Sequence, residues 1–127
     1  MGASGFAAVG IGAAIGAWLR WWLGIFFNPL VSLLPMGTLA ANLVGGYLIG
    51  IAAGIFAQQP ELPIEIRLLV VTGFLGGLTT FSTFSSEAVD LMSRQQFGWA
   101  AIHVTSHLIG SLLMTALGLY SVHLVSH

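Results

Sequence analysis

The sequence has no cysteine and no lysine, and it carries few charges of either sign. Without cysteine there are no disulfides, thiolate nucleophiles or cysteine-ligated zinc. Arginines number 3 and acidic residues 4, for a formal net charge of −1. There is no basic run to hold nucleic acid or an anionic membrane surface. Charged residues make up 6% of the chain, whereas about a quarter is usual for a soluble domain. The acids are Glu61, Glu65, Glu87 and Asp90. No Ser-His-Asp set stands out, so an enzyme is not expected.

What remains is apolar. Of 127 residues, 57% are hydrophobic, and the mean hydropathy is +0.96. This is the composition of an integral membrane protein. A spanning helix needs roughly 20 apolar residues. Four stretches qualify, at roughly residues 5–27, 37–57, 64–92 and 98–125. The expected fold is all-α, a single four-helix transmembrane domain over residues 1–127.

Glycines recur four apart at Gly12 and Gly16, at Gly46, Gly50 and Gly54, and at Gly73 and Gly77. Such spacing lets helix backbones approach closely in lipid. It suits packing within one chain or an oligomer interface, and with four helices an oligomer is the expectation. Topology is weakly specified. Arg67 falls on the side of the termini, and Arg20 and Arg94 lean to the other, so the usual positive-charge bias is nearly absent. Such a chain can insert both ways and pair head to tail.

The polar groups inside the spans carry the functional signal. Asn42 lies early in the second span, where its amide serves either an interhelical hydrogen bond or a pore. The third span contains 76-GGLTTFSTFSSE-87. Gly76-Gly77 weakens the helix, and a break near its middle is expected there; freed carbonyls at such a break can hold a hard cation. The alternative is a close helix crossing. Phe81 and Phe84 share one side of the following helix, beside stripes of Thr80, Thr83 and Glu87 and of Thr79, Ser82 and Ser86. Ring edges are electropositive and meet an anion weakly. Glu87 and Asp90 sit near the span's end, in the headgroup layer or in a direct role. In the fourth span His103, His107, Ser111 and Thr115 recur every four residues along one face. The two histidines have a metal-binding spacing, but the sequence reveals no third ligand.

At 76-GGLTTFSTFS-85 the chain resembles the Fluc family of fluoride channels, also called CrcB proteins. The segments 10-GIGAAIGAWLRW-21, 37-GTLAANLVGGYLIG-50 and 110-GSLLMTALG-118 extend the resemblance over nearly the whole length. It implies an antiparallel, dual-topology homodimer in the cell inner (plasma) membrane. Each dimer would have two pores that let fluoride leave the cell passively and exclude chloride. Asn42, Phe81, Phe84, Thr80, Thr83, Ser82, Ser111, His107 and His103 would line the pore. His103 and His107 fall at positions usually polar in the family, where histidine is not the rule, so pH dependence is open. Arg20 and Glu87 would lie at the vestibules. The carbonyls of Gly76 and Thr79 from both subunits would hold a structural sodium ion, with no organic cofactor. The main rival is a small multidrug exchanger, which needs a membrane-embedded acid; the first two spans have none. A scaffold subunit would leave both polar rails without purpose.

Overall fold

The computed structural model describes residues 2–126. Helix α1 (Gly2–Phe27) leads through a short 3-10 turn (Asn28–Leu30) to α2 (Met36–Gln58). The third span is assembled from α3 (Ile64–Arg67), a π-helical segment (Leu68–Leu75), α4 (Gly76–Leu78) and α5 (Phe81–Ser93). Helix α6 (Phe97–Val125) completes the chain. Four spans, Gly2–Leu30, Met36–Gln58, Ile64–Ser93 and Phe97–Val125, are long and apolar enough to cross a membrane, and there is no strand among the described residues.

The outside of the bundle is greasy. Phe6, Trp18, Trp21, Leu113 and many other large apolar side chains are exposed, as lipid contact demands. The interior is small: Ala41, Leu75 and Leu78 form its buried centre. Close helix approach takes the place of a thick core. A Cβ at Gly12 or Gly16 would run into the backbone of residues 69–78, and one at Gly73 or Gly77 would run into α1. Gly50 and Gly118 do the same between α2 and α6. The glycine stripes are therefore spent within the chain, not on an oligomer surface. Lipid supplies no hydrophobic drive between helices, so backbone proximity must supply dispersion contact instead.

The third span departs from a plain helix twice. In the π segment the Gly76 N–H reaches the Val71 carbonyl, five residues back, a widening often found at functional sites. The true break comes later than the glycines. Gly76 and Gly77 are helical, and the chain becomes extended at Thr79 (φ −86°, ψ 155°) and Thr80 (φ −151°, ψ 112°). The expected break exists, but it is displaced to the two threonines. Gly77 meanwhile makes the close crossing with α1.

The turn into α6 holds Gln95 at φ 60°, while the N–H groups of Gln95 and Gln96 bond the Met92 and Leu91 carbonyls at 3.0 and 2.8 Å. This is a left-handed helix end of the kind glycine normally serves.

Candidate functional site at the broken span

The site begins with the start of α2. Pro35 precedes this helix and has no capping side chain. Asn28 supplies the cap from a distance: its Oδ1 accepts from the N–H groups of Gly37 and Thr38 at 2.7 and 3.2 Å. Thr38 is thereby fixed and buried, and its Oγ1 donates to Glu87 Oε2 at 2.7 Å. Neither Asn28 nor Thr38 was singled out from the sequence. The available signal was that Thr38 lies one helical turn before Asn42, on the same face.

Asn42 braces the break. Its Oδ1 accepts from Thr80 N–H at 2.8 Å, and its Nδ2 donates to the Thr80 carbonyl at 3.1 Å. A backbone amide has one donor and one acceptor, so these bonds assign the orientation of the Asn42 amide. Nδ2 also meets His107 Nδ1 at 3.0 Å. Because Nδ2 can only donate, Nδ1 accepts, and the neutral imidazole carries its proton on Nε2. That Nε2 is buried and has no hydrogen-bond partner. The network therefore creates one orphaned N–H donor inside the span.

The other broken groups are largely served. Thr80 N–H would donate to the Gly76 carbonyl in an unbroken helix, and Asn42 takes it instead. The Gly77 carbonyl accepts from Arg20 Nε at 3.0 Å. Arg20, expected at a vestibule, is thus held at the break itself. Thr79 Oγ1 donates back to the Leu75 carbonyl at 2.8 Å. Thr80 is the N-cap of α5: its Oγ1 accepts from Thr83 N–H at 3.1 Å and donates to Thr83 Oγ1 at 2.9 Å. The other N–H groups of the first turn of α5 have no carbonyl partner within the helix and lie at the positive end of its dipole.

Phe81 and Phe84 meet edge to face, with ring centroids 5.5 Å apart. Phe81 is 78% exposed on the single chain. Phe84 is half-buried against His103 and His107, at centroid distances of 5.3 and 4.7 Å. A groove of about 630 Å³ opens on this flank, lined by Asn42, Thr79, Thr80, Phe81, Phe84, His107 and Ser111 among others. Gly76 reaches it too, with open space where a Cβ would stand apart from the Val71 carbonyl at 3.7 Å. Ser82 and Thr83 do not line the groove. Ser82 is exposed, with its Oγ 3.4 Å from Thr80 Oγ1, and Thr83 is spent on the cap.

A second cavity, of about 360 Å³, lies among Asn28, Ser32, Ser86, Glu87, Asp90 and Arg94. The Asp90–Arg94 pair at its rim, 3.0 Å, is exposed and contributes little to stability. Glu87 reaches inward from this cavity. Its Oε1 lies 3.4 Å from His103 Nε2, which is also 3.3 Å from the Phe84 carbonyl. One ligand-quality atom from each of Glu87, His103 and His107 lies within 4.8 Å of the others. The histidine pair, for which the sequence reveals no third ligand, has the Glu87 carboxylate beside it in the fold. Thr115, further along the α6 rail, donates to the Gly46 carbonyl at 2.9 Å and helps join α2 to α6.

A family model described as CrcB-like protein, Camphor Resistance (CrcB), matches residues 7–119. The chain belongs to the CrcB-like family. Among relatives, a "Fluoride-specific ion channel FluC" of Cupriavidus pinatubonensis is 62% identical over 126 residues, 99% of this chain and 100% of its own. Proteins of the same name from Bordetella avium and Pseudomonas aeruginosa are 61% and 58% identical, covering 94% and 91% of each chain. This CrcB-like chain thus belongs with membrane proteins named as ion channels and not with enzymes, and its four long apolar helices suit that class.

Proposed function

We propose that the protein is a fluoride-selective channel that lets fluoride leave the cell passively and so limits its toxicity. The observation that carries this reading is the full-length similarity to proteins named as fluoride-specific channels. The geometry supplies what such a channel requires. Fluoride is small and tightly hydrated, so donors must replace its water. Ser111, the rings of Phe81 and Phe84 and the N-terminus of α5 line one groove with His107, whose orphaned N–H lies buried beside it. None is a fixed cation, and a weak site releases its ion.

The groove is open along one flank, so one chain does not enclose a path. The functional unit is an antiparallel homodimer in the inner (plasma) membrane, with each of two pores built from both subunits. The near-balanced arginines support dual insertion. A structural sodium ion fits the break. Thr80 N–H is turned away from the Gly76 carbonyl, and Thr79 precedes the first turn of α5. Gly76 also stands at the open surface. Carbonyls of Gly76 and Thr79 from both subunits would form an oxygen donor set suited to a hard cation. The ion would add positive potential at the centre of the dimer.

The exchanger reading has no acid in the first two spans to support it. Efflux from liposomes containing the purified protein is the test. Fluoride release without chloride release supports the channel; no release, or equal release of both ions, refutes it.

A further inference from the structure

The Glu87–His103–His107 cluster has a property that an anion path does not need. Glu87 Oε1, His103 Nδ1 and His107 Nε2 are all buried without a hydrogen-bond partner. Both histidines are almost wholly buried, at 0% and 4% exposure. Burying one polar atom unpaired is costly, and each of these three residues carries one; Glu87 Oε1 has only His103 Nε2 near it, at 3.4 Å. Two imidazoles and a carboxylate with donor atoms within 4.8 Å match the ligand types and count of open zinc-like sites. The outer groups are also in place. Thr38 holds Glu87 through its other oxygen at 2.7 Å, and such second contacts orient metal ligands. Glu87 also lines the second cavity, beside Ser86 and the Asp90–Arg94 pair, so one member of the cluster stands at a polar opening.

We propose that Glu87, His103 and His107 bind a divalent transition-metal ion of the Zn²⁺, Co²⁺ or Cu²⁺ type, and that its binding blocks ion passage. The block rests on the channel reading; the binding does not. The two occupants compete for one atom. An anion uses the His107 Nε2–H, whereas a metal uses the Nε2 lone pair. Metal binding moves the imidazole proton to Nδ1, where it faces the Asn42 Nδ2 donor at 3.0 Å. The ion therefore removes a pore donor and breaks one arm of the brace at Thr80.

The test uses full-length protein carrying H123Q/H127Q, which leaves only His103 and His107 of the 4 histidines. Cobalt titration in detergent should give a visible d–d band at one ion per chain, and Cu²⁺ should give an electron paramagnetic resonance spectrum split by two nitrogens. E87Q, H103Q and H107Q should each lose the cobalt band. No band, or nitrogen splitting from fewer than two imidazoles, overturns the site without recourse to any variant that fails to fold. In liposomes, Zn²⁺ should abolish fluoride efflux and a chelator should restore it. A cobalt band with undiminished efflux under Zn²⁺ overturns the block and leaves the site. A cobalt band in a protein that releases no fluoride at all refutes the channel reading and leaves the site.

Discussion

Replacing Asn42 by alanine tests whether the break is held from outside the third span. The side chain makes three contacts: to the Thr80 N–H, to the Thr80 carbonyl and to His107 Nδ1. Each net hydrogen bond contributes about 1 kcal/mol, and transmembrane bonds average nearer ~0.6 kcal/mol. The sum is about 2–3 kcal/mol. The Thr80 amide cannot turn back into the ladder without refolding the break, so its two orphaned groups raise the cost. Counted as two buried polar groups left unpaired, at ~1–3 kcal/mol each, the loss is about 2–6 kcal/mol. Unfolding in mixed micelles measures this. Thr115→Val is the comparison. It removes one side-chain bond to a carbonyl, that of Gly46, which lies inside a helix, and should cost about 1 kcal/mol or less. Asn42→Asp adds a second arm: one oxygen still accepts from Thr80 N–H, but the other confronts the Thr80 carbonyl. Asp should therefore destabilise at least as much as Ala, and its negative charge should stop fluoride. An Asn42→Ala protein that loses less than about 1 kcal/mol and retains full efflux would refute the reasoning.

Phe84→Ile should cost about 1–2 kcal/mol, through lost ring contacts with His103 and His107. Phe81→Ile should cost the isolated chain little, given its exposure. Both should slow or stop fluoride efflux with the dimer intact on size exclusion, and full efflux in both removes the rings from the mechanism. Replacing sodium by choline should lower the thermal midpoint of the purified protein; an unchanged midpoint argues against sodium at Gly76 and Thr79. Gly50→Val pushes a side chain into the Thr115 backbone carbonyl and should destabilise by about 1–3 kcal/mol, seen as a lower unfolding midpoint. Gln95→Gly relieves the left-handed backbone at φ 60° and should raise stability by about 1 kcal/mol, with efflux unchanged.

The four spans were legible because each is a long apolar run, and their observed bounds lie within a few residues of those expected. The break was legible in kind but not in place. Glycine weakens a helix locally, so Gly76-Gly77 drew attention. The position was decided by Asn42 and Arg20, 38 and 57 residues away from their partners in the third span. No local pattern carries such contacts. Glu87 was hidden from the histidines for a related reason, since it approaches His103 from another span. The π segment has no residue signature of its own; it accompanies the close approach of Gly12 and Gly16 to residues 69–78. The glycine stripes were visible, but their spacing does not say which helix they meet.

The threonines add a local reason for the position that Asn42 and Arg20 secure from other spans. A glycine leaves a freed backbone group with no local partner. Thr79 and Thr80 each bring one: Thr79 Oγ1 bonds back to the Leu75 carbonyl, and Thr80 Oγ1 caps α5. Both are β-branched and already favour extended backbone over helix. Gly45 makes the room, since a Cβ there would occupy the position of the Thr79 methyl group. Gly76 and Gly77 then serve geometry, not rupture. One lets α1 approach, and the other keeps the groove wall free of side chain. The break is thus placed where the chain can supply its own donors and acceptors, with Asn42 closing the remainder. Among the buried side chains of the described residues, the His107 Nε2–H is left without a partner. Asn42 puts it there by occupying Nδ1, so the residue that secures the break also sets the tautomer of a histidine that lines the groove.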